Sequence, residues 1–177
     1  MKLTLKEEKF EFDFPNAKAL YKFDEKDSLS PIFHGVPMKA VDVMAEFPDF
    51  QLWIEVKEFQ PSDIEAMKKE GDQQKRGCNV HNKAHLTENL KYKFRDTFLF
   101  RYCENKLDRK VIYVCLTNFD DALNGVYRRE LQKQIPTGKA SKRWSKQLLK
   151  TDSLFVVNEN SWHRNLEDIF GKCKKIP

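Results

Sequence analysis

Two acids and a lysine stand at a spacing that suits a charged site: Asp42, then after twelve intervening residues Glu55, and Lys57 within Glu55-Val56-Lys57. Val41, Val43, Trp53, Ile54 and Val56 around them favour a pleated, half-buried surface. Phe47-Pro48-Asp49-Phe50 between the two apolar runs reads as a turn, so Lys39 to Phe59 is expected to form a β-hairpin. Side chains alternate along a strand, which places Glu55 and Lys57 on one face with Gln51 and Trp53, and Leu52, Ile54 and Val56 on the other. A turn of two or four residues pairs Glu46 with Gln51 and sets Asp42 opposite Glu55; an odd-length turn swings Glu55 to the other face. Paired residues have Cβ atoms about 5 Å apart, and like charges there destabilise a sheet. A hard divalent cation would compensate, because Mg²⁺ takes one or two carboxylates together with substrate phosphate oxygens and several waters. Lys57 lies about 7 Å along the strand from Glu55.

Asp42 in one strand and Glu55-Val56-Lys57 in the next, followed by a helix and another apolar strand, resembles the D…(D/E)-x-K signature of the PD-(D/E)XK nucleases, the restriction-endonuclease-like superfamily. The resemblance covers most of residues 1–170. It implies an α/β fold, a single mixed β-sheet flanked by helices, and a metal-dependent nuclease, most readily an endonuclease, hydrolysing phosphodiester bonds in DNA ahead of RNA. It also implies Mg²⁺, with Mn²⁺ as a substitute, held by Asp42, Glu55 and the Val56 carbonyl, while Lys57 positions or activates the attacking water and steadies developing charge. Val41 stands where the signature has proline, and Asp24, Glu25 and Asp27 compete for the acid that many members place on their first helix. Degenerate members keep the fold as scaffolds for nucleic acid or protein, which is the alternative reading.

The remaining chain must position these groups. Its 177 residues fit one domain, residues 1–177, with a polar insertion near 71–85 and a basic segment near 131–150. A net charge of +5 favours polyanionic partners. No apolar run approaches the ~18 residues of a membrane span, and the first residues lack an apolar signal core, so a cytoplasmic protein is expected. A homodimer is left open. Cys78, Cys103, Cys115 and Cys173 have no paired spacing, and Cys103 and Cys115 fall in apolar segments as reduced core cysteines do. Cys78, His81 and His85 lack a fourth zinc ligand, so no zinc site is assigned.

In chain order, Phe10, Phe12 and Phe14 mark an early strand at the sheet edge, with Leu3 and Leu5 in its partner. A first helix is expected from Asn16 to about Asp27, then a loop through Ser28–Pro37 in which His34 is a loop residue near the site. After the hairpin come a short helix from Pro61, a long one over Thr87–Asn105 with the stripe Leu90, Phe94, Phe98 and Tyr102, and a strand over Val111–Leu116. Lys91, Lys93, Arg95 and Arg101 fall on the long helix's polar face, its N-terminal half within reach of a phosphate at the site. Asp120-Asp121 caps a further helix. Lys139, Lys142, Arg143, Lys146 and Lys150 then fall near one helical face with Trp144 among them, the pattern of a phosphate-tracking arm and equally of a solvated surface. Leu154–Val157 is the last strand, Ser161–Phe170 a terminal helix stopped by Gly171, and Lys172, Lys174 and Lys175 a basic tail.

Overall fold

The computed structural model describes residues 3–73, 81–138, 141–146 and 148–176. A five-stranded mixed sheet runs through it, formed by β3 (Ala19–Lys22), β4 (Val43–Glu46), β5 (Phe50–Lys57), β6 (Lys110–Thr117) and β7 (Leu154–Val157) in that spatial order. β3, β4 and β5 are antiparallel neighbours, whereas β5, β6 and β7 run parallel. Parallel neighbours need a crossover. The helices α1 (Pro61–Gln73) and α2 (His81–Cys103) supply it between β5 and β6, and α3 (Asp121–Gln134), N-capped by the Asp120 side chain, supplies it between β6 and β7.

Alternation along the central strands divides the interior in two. Met44, Trp53, Tyr113 and Cys115 point into a core filled by Met67 of α1, Leu90 and Phe94 of α2, and Leu123, Tyr127 and Leu131 of α3. Val43, Ala45, Leu52, Ile54, Val56, Val114 and Leu116 point the other way. That second face is covered by a three-stranded antiparallel sheet of β1 (Thr4–Glu7), β2 (Phe10–Asp13) and β8 (Lys172–Lys175), and by α4 (Glu159–Asn165) and α5 (Glu167–Phe170). The expected single sheet between helical layers is therefore two sheets. Phe10 and Phe12 of β2 and Phe14 just beyond it do not extend the main sheet but lie across it, packed with Trp162 and Phe170.

Four further expectations are corrected. The segment expected as a first helix forms β3 instead: Leu20 and Tyr21 face opposite cores, and pairing with β4 satisfies an edge that a short helix would leave open. The basic tail is β8, because Cys173 opposite Phe12 fills the second core while the lysines stay outside. On α2 the strict four-residue stripe drifts about 40° per step against a period of 3.6 residues. The buried line instead runs Leu86, Leu90, Phe94, Thr97 and Arg101, leaving Leu99, Tyr102 and Cys103 exposed. Ser161–Phe170 is interrupted at Leu166, between α4 and α5. Among the described residues, no helix is long and apolar enough to cross a membrane. Residues 74–80 of the polar insertion, Cys78 among them, lie outside the described residues.

Candidate active site

The hairpin closes in the expected register, Glu46 opposite Gln51 and Val43 opposite Ile54, and the β4–β5 ladder stops there. On the other side β5 continues to pair with β6 as far as Lys57 opposite Thr117. The last three residues of β5 thus have a partner on one edge and an open edge on the other. Asp42, directly before β4, fills that opening: its Oδ2 accepts the Val56 N–H at 2.7 Å. A strand residue's N–H and C=O leave on the same edge, so the Val56 carbonyl faces Asp42 as well. The place is the carboxyl end of a parallel pair, where open α/β sheets commonly bind ligands.

Several contacts fix Asp42 and the end of β5. The Lys39 N–H donates to Asp96 Oδ2 and the Val41 N–H to buried Thr97 Oγ1, both at 3.0 Å, tying the chain before Asp42 to α2. Beyond Lys57, the Asn118 side chain accepts from the Phe59 N–H at 3.0 Å and donates to the Phe59 carbonyl at 2.8 Å. Glu58 pairs with Lys9 at 3.4 Å and with Lys175, fastening the strand end to the small sheet.

Glu55 is fully buried, and its compensation is ionic: Lys57 Nζ lies 2.6 Å from Oε1 and Lys93 Nζ 3.3 Å from Oε2. Lys93 also stands 3.3 Å from Asp42 Oδ1 and 3.6 Å from Asp24 Oδ2. One ammonium therefore touches both Asp42 and Glu55, which puts the two carboxylates on one face with Lys57 beside them. Burial, and after it the charge of Asp42, push the Glu55 carboxyl up to about 7, with Lys57 and Lys93 pulling it back. Burial lowers both lysines, but the carboxylates outweigh it and hold each ammonium above its ordinary range. Glu8, at the β1–β2 turn, is raised by partial burial and then by Asp42, so a further acid lies within electrostatic reach. A cavity of about 330 Å³ opens beside Lys57, lined also by Phe59, Asp63, Met67, His85 and Asn89, and the buried Asn89 Oδ1 lacks a hydrogen-bond partner among the described residues.

These groups suit a hard cation and a phosphodiester. Asp42, Glu55 and the Val56 carbonyl offer only oxygen, as Mg²⁺ requires, and two carboxylates leave room for phosphate and water. No three acidic, His or Cys side chains form a ready-made cage among the described residues.

Other expected site residues lie elsewhere. Lys142, Arg143, Trp144 and Lys146 are exposed in irregular chain, with no helix among the described residues of 141–150; Lys139 lies outside the described residues. Trp144 and Lys146 line a cavity of about 530 Å³ with Tyr102, Arg109 and Lys110. Lys110 pairs with Phe50, at the opposite end of β5 from Lys57, roughly 20 Å away by strand rise. His34 is not at the site either: it is buried, stacked on Phe100 with ring centroids 4.5 Å apart. Arg101, expected on the polar face, is fully buried and paired with Glu46 and Glu104 at 3.0 Å.

The groups not singled out from sequence are Glu8 and Asn89, while Asp24 and Lys93 stood among several candidates. For Lys93 a signal existed in its position next to Phe94, on the flank of the buried line of α2. For Glu8 none did, since only the packing of one sheet across another brings it near. No family profile, curated protein or solved structure matches the chain.

Proposed function

We propose that this protein is a Mg²⁺-dependent nuclease with a restriction-endonuclease-like core, hydrolysing phosphodiester bonds, with DNA ahead of RNA as substrate. The observation that carries this reading is the convergence of Asp42 and Glu55 on one point, at the open edge of β5, with Lys57 2.6 Å from Glu55. Asp42, Glu55 and the Val56 carbonyl would hold the cation, which supplies Lewis-acid polarisation of the phosphoryl oxygen. The Asp42 carboxylate is oriented by the Val56 N–H, so it cannot rotate away without breaking a buried hydrogen bond. Lys57 neutralises charge that develops on the phosphoryl oxygens as water attacks, a contribution made mainly in the transition state. The cavity beside Lys57 gives the strand room to approach.

A second reading, a non-catalytic scaffold, is favoured by Lys93, whose ammonium already neutralises Asp42 and Glu55 from within the chain. Incubating the protein with plasmid, linear and single-stranded DNA and with RNA, in Mg²⁺, Mn²⁺ or EDTA, separates the two. A nuclease cuts at least one substrate in Mg²⁺ and none in EDTA, and Lys57→Ala lowers the single-turnover rate by about 10²–10³-fold while still binding cation. Failure to cut any substrate selects the scaffold.

A further inference from the structure

We propose that the exposed face of α2 around Tyr92 is the track on which a nucleic acid strand lies as it enters the Asp42–Glu55 site. The inference rests on the nuclease reading and adds the path of the substrate. Three cations from two separate segments converge on the partly exposed Tyr92 ring: Lys91 Nζ at 4.7 Å from its centroid, Lys39 Nζ at 5.7 Å and the Arg95 guanidinium carbon at 5.8 Å. Lys91 Nζ also stands 3.8 Å from Glu88, which leaves an excess of positive charge at the ring, and a polyanion laid there sheds its own counterions.

The patch is built, because the chain that carries Lys39 is the chain that carries Asp42. The bonds from Lys39 N–H to Asp96 and from Val41 N–H to Thr97 hold both against α2. On α2 itself, Lys93 lies between Lys91 and Arg95 in sequence and points to Asp42 and Glu55. Track and site therefore share the same two supports, the chain from Lys39 to Asp42 and the helix α2. The exposed Lys142–Lys146 segment lies near the far end of β5 instead. An aromatic ring with a guanidinium beside it also offers a stacking surface for a base, which an acidic peptide would not use.

The test measures binding by fluorescence anisotropy with a short labelled DNA, single-stranded and duplex, in EDTA so that cleavage cannot contribute. A Lys39→Gln/Lys91→Gln/Arg95→Gln variant should bind about tenfold more weakly, and its log affinity against log salt should be shallower by about 0.9 per lost contact on duplex and about 0.7 on single strands. Tyr92→Ala should weaken single-strand binding more than duplex binding, with thermal unfolding unchanged in both variants. A Lys142→Gln/Arg143→Gln/Lys146→Gln variant should bind like the parent. The proposal is overturned if the Lys39 triple variant keeps the parent's affinity and slope, if the loss appears only in the Lys142 triple variant, or if polyglutamate competes as well as DNA. Cation binding and Mg²⁺-dependent cleavage of the parent are scored separately. A cutting parent with an indifferent patch loses the track and keeps the nuclease; a parent that binds DNA through the patch but cuts nothing keeps the track and loses the nuclease.

Discussion

At the scale of single residues, Glu55 is held on every side. It is fully buried, with Asp42 on the same face and two ammonium groups opposite its oxygens. Its carboxyl is held at about 7 against an ordinary 4.5, burial being the larger cause and Asp42 the next. Between those values the folded protein keeps a proton that the unfolded chain releases. The resulting stabilisation is fully present below pH 4.5 and is lost as pH rises through about 7. It amounts to about 3 kcal/mol over the window. Without divalent cation, then, thermal stability should fall between about pH 4.5 and about pH 7 and level off above. Glu55→Gln should flatten that part of the profile, and thermal unfolding of both proteins in EDTA across the range checks it. A parent profile with no such fall would contradict the burial argument. Cation affinity should run the opposite way, rising through neutrality, because a ligating carboxylate must first lose its proton.

At the scale of elements, the hairpin was legible because its register follows from turn length and from a period of two, but its ladder ends at Val43 opposite Ile54, so Asp42, expected within the strand, lies just before it. The strand over Val111–Leu116, the long helix and the capped helix after Asp120 were legible for the same kind of reason: long, strongly patterned segments with clear ends. The short strands were not. β3 and β8 have four residues each, and β8 offers one apolar side chain among lysines, so nothing local distinguishes it from a tail. What holds β8 in place is contact with β2 and a sharp turn at Gly171, whose φ of 115 is open only to glycine. A Cβ there would lie 2.4 Å from the Asp13 carbonyl oxygen. Gly171→Ala should cost about 1–3 kcal/mol from backbone strain alone, with the steric clash adding to it. The denaturant midpoint of the variant reports this directly; a midpoint equal to the parent's would mean that the turn relaxes freely. Arg101 was hidden for a different reason: a charged residue on a helix reads as solvated until tertiary structure brings Glu46 and Gln51 to it.

At the scale of the whole molecule, two cores lie on opposite faces of one sheet in which the β4–β5 ladder is short and the β5–β6 ladder long, and the candidate site occupies the difference between them. The small sheet contributes through Glu58, tied to Lys9 and Lys175, and through Glu8 at its turn. Positive charge lies outside on α2, and the paired carboxylates lie inside, so a polyanion and a cation would each find complementary surroundings. The proposed nuclease requires that Asp42 and Glu55 together bind a divalent cation. Titrating Mn²⁺ into the parent, Asp42→Asn and Glu55→Gln, followed by calorimetry, measures it. The parent should take up cation at one site, and each substitution should weaken that binding by about tenfold or more, as the loss of a charged ligand from a site with few protein ligands requires. A parent that takes up no cation, or an Asp42→Asn protein that binds it as tightly as the parent, would contradict the assignment.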